Sequence, residues 1–248
     1  MKKQIILFLT FATLTMAHDH IEVGEDMYDP TRLGMDGPGY QLALYVPPGE
    51  PFSGYIPNFP GGWFANELTF TTEASSLAPA IGAEPHLAFI SISGPSGGAF
   101  YFWEVGAIEP TWGRAAGWTN SPDDSPSIPV VYGGDHHVHG RAFTMNKPGE
   151  YSVSFRAVDA SGHYSSSTVK TMTFVAQPPP PMTMKITNGM ITLSFTSRIN
   201  LDYDVQSCAN LMGGGWQSEA VIFGDGAGKN HSQSISGNSL MFFRLIEY

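Results

Sequence analysis

Apolar and polar residues alternate with a period of two in several stretches of the chain, which is typical of strands that bury one face. The strictest alternation covers residues 151–157, where Tyr151, Val153 and Phe155 fall on one face. Similar patterns predict further strands at 40–46, 67–71, 86–92, 99–105, 166–176, 190–195, 203–207 and 241–248. No stretch sustains the 3.6-residue period of an amphipathic helix. The pattern therefore predicts an all-β protein.

Glycine and proline mark the turns between these strands. Lys147-Pro148-Gly149 fits a type II turn, because proline fixes φ and glycine accepts a positive φ. Residues 159–162 close a hairpin, and Asn188-Gly189 is the strongest short hairpin signal. Short strands at this spacing, joined by such turns, predict a β-sandwich.

Four consecutive prolines, Pro178 to Pro181, divide the chain. Such a run favours polyproline II, a stiff spacer of roughly 3 Å per residue. We therefore expect a first β domain at 18–176, a linker at 177–182 and a smaller β domain at 183–248. Trp216 is predicted to be a core anchor of the smaller domain.

The first seventeen residues have the pattern of a secretory signal peptide. Lys2 and Lys3 precede an apolar run at 5–14, and Ala17 supplies the small residue that a signal peptidase needs. A membrane anchor is the alternative, but the run is too short to span a bilayer. The sequence thus predicts a protein that is secreted or periplasmic and is not inserted in the membrane after cleavage.

Composition narrows the function classes. The chain carries 12 Lys and Arg against 22 Asp and Glu, a net charge of −10, so it has no basic stripe for a nucleic acid. Cys208 is the only cysteine, which excludes an internal disulfide and predicts a small core residue. Trp63, Trp103, Trp112 and Trp118 could form a platform for sugars, although core positions are the commoner place for such residues.

Two histidine clusters carry the candidate chemistry: His18-Asp19-His20 and His136-His137-Val138-His139. In a strand, residues i and i+2 share a face, so His137 and His139 would present two imidazoles to one metal ion. His20 is the best third ligand, with Glu22, Asp135 and His86 in reserve. His86 shares strand parity with Ala88, Ile90 and Ile92, which indicates a histidine at the edge of the core. The alternative for the pair is a solvated loop, because Gly133-Gly134 precedes it.

An N-terminal histidine opens a different chemistry. If cleavage follows Ala17, the amine and the ring of His18 could bind copper, as in copper-dependent polysaccharide monooxygenases. That interpretation depends entirely on the cleavage position. The sequence contains no zinc-protease, serine-hydrolase or Cys-x-x-Cys motif.

Several of these stretches resemble the surface-anchored repeat domain of bacteria, also called the choice-of-anchor M domain. The similar segments are His137-Val138-His139-Gly140-Arg141-Ala142-Phe143, Lys147-Pro148-Gly149-Glu150-Tyr151, Gly94-Pro95 and His20-Ile21-Glu22. Two departures exist, since Gly140-Arg141 stands where the family has Asn-Trp and Glu22 stands where it has Asp. Beyond the prolines, residues 203–207, Trp216 and residues 242–245 resemble small C-terminal β-modules of secreted bacterial proteins.

The resemblance implies an immunoglobulin-like fold, and a wall-attached or secreted protein that works beside ABC transporters of the zinc/manganese type. It also implies that His20, His137 and His139 occupy recurring histidine positions of the family. We therefore expect a non-catalytic protein that binds zinc, with copper and manganese as alternatives. The expected ligands are His20, His137 and His139, with Glu22, His86 or His18 completing the site. A metal-free adhesion or scaffolding protein and a copper monooxygenase starting at His18 remain the alternatives.

Overall fold

The computed structural model describes residues 19–48, 56, 58–65, 68–72, 82–120, 127–130, 141–211, 215–234 and 241–248. Regular structure within these residues consists entirely of β-strands, which confirms the all-β fold. The same residues include no helix long and apolar enough to cross a membrane. The segment predicted to be a signal peptide lies outside the described residues.

Twelve of the described strands precede the prolines. They are β1 (Asp19–Asp26), β2 (Asp29–Asp36), β3 (Tyr40–Val46), β4 (Gly62–Ala65), β5 (Leu68–Thr72), β6 (Pro85–Ser93), β7 (Ala99–Trp103), β8 (Trp112–Ala115), β9 (Ser127–Pro129), β10 (Ala142–Met145), β11 (Gly149–Asp159) and β12 (Lys170–Ala176).

Nine of these strands form one sheet, in the order β8-β7-β10-β4-β3-β12-β11-β6-β9. The sheet folds over on itself at β3. Phe174 of β12 lies against two residues from the other half, with ring centroids 4.9 Å from Phe100 of β7 and 5.4 Å from Phe143 of β10. The two halves therefore face each other as a sandwich around an aromatic core.

A separate sheet, in the order β2-β1-β5, closes one side of this core. The ring of Phe70 on β5 lies 5.9 Å from Phe143 and 5.9 Å from Phe155, so it contacts both halves of the sandwich. Ile21 pairs with Phe70 across the β1–β5 ladder and is fully buried. Burial of these apolar positions fixes which face of β1 points inward.

All four tryptophans of the possible sugar platform pack in or against one of the two hydrophobic clusters that precede the prolines. Trp63, Trp103 and Trp112 are buried, and Trp118 packs against the core with part of its surface exposed. The indole nitrogen of Trp103 donates to Thr144 Oγ1 at 2.8 Å. These positions favour a structural role over an exposed stacking platform.

Beyond the prolines, the described residues form two three-stranded sheets, β13-β14-β17 and β16-β15-β18. The strands are β13 (Thr183–Thr187), β14 (Met190–Thr196), β15 (Asp202–Cys208), β16 (Gln217–Phe223), β17 (Gly228–Ser234) and β18 (Phe242–Glu247). Asn188 and Gly189, with φ of 51° and 74°, form the predicted hairpin turn between β13 and β14. Residues from both sheets share one small core, which includes Leu193, Val205 and Leu245.

Two predictions about buried residues of the second part have opposite outcomes. Cys208 is buried, as expected. Trp216 is not part of the core; it is half-buried, and the guanidinium of Arg244 lies 4.2 Å from its ring centroid. Outside the core, the indole gains its stabilisation from a cation–π contact instead.

The proline segment is held from both sides. The indole nitrogen of Trp63 donates to the carbonyl of Gln177 at 2.7 Å, and Arg198 Nη2 donates to the carbonyl of Pro178 at 2.6 Å. No described strand before the prolines shares a sheet with one after them. The division into two domains at 177–182 stays a prediction, and these two bonds are where the parts meet the linker.

Candidate metal centre

Strand β1 places His20 and Glu22 side by side. Ile21 and Val23 are buried between and beyond them, so the alternating residues His20 and Glu22 point away from the core. His20 is half-buried and Glu22 is exposed. One imidazole and one carboxylate therefore share the outward face of β1.

The neighbouring strands complete the surroundings of this pair. Glu22 faces Asp36 on β2, while His20 and Glu22 face Thr69 and Thr71 on β5. Both threonines are buried, so hydroxyl groups and no further charge flank the pair on that side. Within the described parts of the chain, no three or more His, Cys, Asp or Glu residues form a group that could hold a metal ion. A metal on this face would need ligands from elsewhere.

The other ligands predicted from the sequence fall in two places. His18, His137 and His139 lie outside the described residues, as does Asp135. His86 is described and lies on β6, in a different sheet from His20. The described structure thus brings Glu22 beside His20, and it places His86 on a separate surface.

A β-bulge decides which way His86 points. Ser154 of β11 faces Ser91, but the next residue, Phe155, faces Phe89, so Ile90 is the extra residue of β6. The predicted shared face of His86 with Ile92 is therefore wrong, because the inward face changes parity at the bulge. Leu87 and Phe89 point inward, and His86 points outward.

His86 is half-buried on its outward face, and its Nδ1 lies 3.4 Å from Ser127 Oγ. Burial lowers the pKa of His86, and the carboxylates of Glu84 and Asp159 oppose that shift. The imidazole is consequently neutral at pH 7, a state that suits both a hydrogen bond and a metal ligand.

Arg141, noted in the sequence only as a departure from the family pattern, has a structural role in this region. It is only 2% exposed, although it directly follows the segment 131–140 that contains the second histidine cluster. Its Nε and Nη2 donate to the two oxygens of Glu104 at 2.8 and 3.3 Å. Its Nη1 donates to the carbonyl of Val130 at 3.3 Å, which joins the residue before the segment to the residue after it.

This arrangement fixes where the histidine-bearing segment begins and ends. Chain connectivity alone keeps the α-carbon of His139 within about 8 Å of that of Arg141, two residues on. Arg141 leads into β10, whose Phe143 contacts Phe70, the partner of Ile21 on β1. The two histidine-bearing stretches therefore enter the described structure at neighbouring parts of one core.

No family model matches the sequence, and no curated protein matches it. The resemblance to the surface-anchored repeat family consequently stays a prediction.

Proposed function

We propose that this chain is a secreted, non-catalytic protein that binds one divalent transition metal ion, zinc by preference. His20, His137 and His139 are the ligands, and Glu22 completes the site. The observation that carries the proposal is the placement of His20 and Glu22 together on the outward face of β1.

The chemistry of these side chains suits zinc. Residues i and i+2 of a strand have α-carbons about 7 Å apart, and zinc takes imidazole nitrogen and carboxylate oxygen at about 2 Å. The two side chains can therefore reach one ion from the same strand. Two further imidazoles from His137 and His139 would complete a tetrahedral shell.

Chain connectivity supports the same set. Arg141 anchors the end of the segment that carries His137 and His139, and the β10–β5–β1 contacts lead from that anchor to the strand of His20. His86 is the weaker candidate, because it lies in the other sheet and already has Ser127 within reach.

The location and partners belong to the same proposal. The signal-peptide pattern at 1–17 implies secretion or a periplasmic location, and the family resemblance suggests a metal-type ABC transporter or a cell-surface partner. Zinc bound beside the exposed Glu22 could be passed on to a partner, which suits a receptor or relay.

Metal content of the protein with its native N-terminus, purified without a histidine tag or chelator, tests the proposal. We expect about one equivalent of zinc in the wild type and its loss in His20→Ala and in the double variant His137→Ala/His139→Ala. His231→Ala is the matched control, because His231 lies on β17 beyond the prolines and hydrogen-bonds Gln233 at 2.9 Å.

Any other metal content favours one of the two alternative functions, the metal-free adhesion protein or the copper enzyme. Absence of zinc, copper and manganese from the wild type, even after reconstitution, contradicts the proposal and favours a metal-free adhesion protein. Copper that is lost when one residue is added before His18 favours the copper enzyme. Glu22→Gln and His86→Ala then decide which side chain completes the site.

A further inference from the structure

The outward face of the sandwich half β12-β11-β6 carries an ordered row of hydroxyl groups. Ser91 of β6 faces Ser154 of β11, and Ser154 faces Thr171 of β12. An isolated bridge adds Thr119 opposite Ser91 at the end of this row. Four adjacent chain segments thus each place one hydroxyl in a single line.

A second row runs parallel to the first, two residues along each strand. Ser93 faces Ser152, and Ser152 faces Thr173. Tyr40 of β3 pairs with Thr173 and adds an exposed aromatic ring and its hydroxyl at the end of the row. All eight positions in the two rows carry a hydroxyl group.

We call the six central residues the hydroxyl face: Ser91, Ser93, Ser152, Ser154, Thr171 and Thr173. Paired strands lie about 4.8 Å apart and residues i and i+2 about 6.8 Å apart, so the hydroxyl groups form a regular lattice. Ser154 Oγ and Thr171 Oγ1 are 2.8 Å apart and already share a hydrogen bond, which orients part of the lattice.

The face is held rigidly and remains open. The residues between the rows point inward, and Ile92, Val153 and Met172 are fully buried. Backbone bonds from Ile92 N to the Trp118 carbonyl (2.9 Å) and from Asn120 N to the Ile90 carbonyl (2.7 Å) fasten the segment of Thr119 on both sides. Each member of the hydroxyl face is exposed or half-buried.

The hydroxyl face is also neutral. Glu150 and Arg156 lie just beyond its two rows on β11, one at each end and with opposite charges. A hydroxyl is both a donor and an acceptor, so the face offers hydrogen bonds of both kinds without a net charge. A protein chain with many charged side chains, or an acidic polymer, would find no counter-charge here.

From this placement we propose that the hydroxyl face binds a neutral polysaccharide. An extended sugar chain presents hydroxyls of the same dual character at regular intervals, and several rings can engage the lattice together. The ring of Tyr40 offers an apolar surface for a sugar ring at one end. This surface lies in a different sheet from His20 and Glu22 and uses neither of them.

Affinity electrophoresis and pull-down with cellulose, xylan, laminarin and starch test the proposal, beside the acidic polymer alginate. The test variant is Ser152→Ala/Ser154→Ala/Thr171→Val/Thr173→Val, which removes four hydroxyls and adds neither bulk nor charge. We expect the wild type to bind at least one of the neutral polymers, and the variant to bind it at least about tenfold more weakly. Chelation of metal should leave this binding unchanged.

The chain offers a matched control. Thr192 Oγ1 and Ser232 Oγ form an exposed hydroxyl pair, also 2.8 Å apart, on β14 and β17. Thr192→Val/Ser232→Ala makes the same chemical change elsewhere and should retain full binding, and circular dichroism and thermal unfolding check the fold of every variant. Failure to bind any neutral polymer, binding to alginate alone, or equal binding by a folded test variant would overturn the proposal.

Discussion

Replacement of Arg141 by methionine should destabilise the protein markedly, because it breaks an ion pair that is almost fully buried on the arginine side. Methionine retains an apolar stem beside Phe102, whose ring centroid lies 5.9 Å from the guanidinium carbon. It removes both bonds to Glu104 and leaves the Val130 carbonyl without this donor.

The structure sets the size of the effect. Removal of one partner from a fully buried pair costs about 3–5 kcal/mol, but the side chain of Glu104 is 23% exposed and water can reach it. We therefore expect the free energy of unfolding to fall by about 2–3 kcal/mol in urea titrations. In a double-mutant cycle with Glu104→Leu, the double variant should lose about 1–2 kcal/mol less than the sum of the single variants.

Arg32→Met supplies the control for this prediction. Arg32 pairs with Asp26 at 2.6 Å, but its side chain is 33% exposed, so the same change should cost no more than about 1 kcal/mol. Zinc affinity, measured where both variants are folded, should fall only in Arg141→Met if Arg141 positions the histidine-bearing segment. Equal stability losses at the two arginines would refute the reasoning.

Three further predictions concern other parts of the fold. Burial raises the pKa of Asp159, but hydrogen bonds from the Glu84 amide, the Ser161 hydroxyl and the Tyr164 amide outweigh that effect and lower it to about 2. Its stabilisation is therefore full above about pH 4 and is lost as the pH falls through about 2, so Asp159→Asn should cost about 1–2 kcal/mol in urea titrations at pH 7 and less at pH 2.5. Gly149→Ala should lower the unfolding temperature, because φ of Gly149 is +132° and the new Cβ would lie 2.6 Å from Pro95 Cγ. In the control Gly39→Ala, the new Cβ meets no atom within 4 Å, so the unfolding temperature should not change. Arg198→Met should destabilise the part beyond the prolines by about 3 kcal/mol at pH 7, because it leaves the buried carboxylate of Glu247 without its cation. The loss should be smaller at low pH, because burial raises the pKa of Glu247 and protonation then removes the unpaired charge.

The sequence predicts several of the strands that bury one face and expose the other, although it misses β1, where buried Ile21 and Val23 alternate with His20 and Glu22. Strand β3 is predicted at 40–46 and observed at Tyr40–Val46, and β11 is predicted at 151–157 and observed at Gly149–Asp159. Strands β4 and β10 are not predicted from the sequence, because every residue in them is buried and apolar and polar residues do not alternate. Strand β17 is not predicted either, because its seven residues are mostly polar and show no apolar face.

Contacts that depend on long-range pairing leave no local signal. The residues of the Arg141–Glu104 pair are 37 positions apart, and the bulge at Ile90 that turns His86 outward depends on how β6 meets β11. Ser91 and Thr119 also meet only through such pairing. The hydroxyl face is therefore a property of the register, although each Ser-x-Ser and Thr-x-Thr pair is visible in the sequence.

His20, Glu22 and the hydroxyl face all occupy outward positions of strands whose inward positions are buried in the core, and this leads to a last prediction. His20 lies on the β2-β1-β5 sheet and the hydroxyl face lies on the nine-stranded sheet, so His20 and the hydroxyl face share no strand. Substitutions at separate sites without common partners act additively. His20→Ala should therefore abolish zinc binding without changing polysaccharide binding, and the four hydroxyl substitutions should do the reverse. If either set of substitutions weakens both activities in folded protein, the two surfaces are coupled and the assignment of separate sites is wrong.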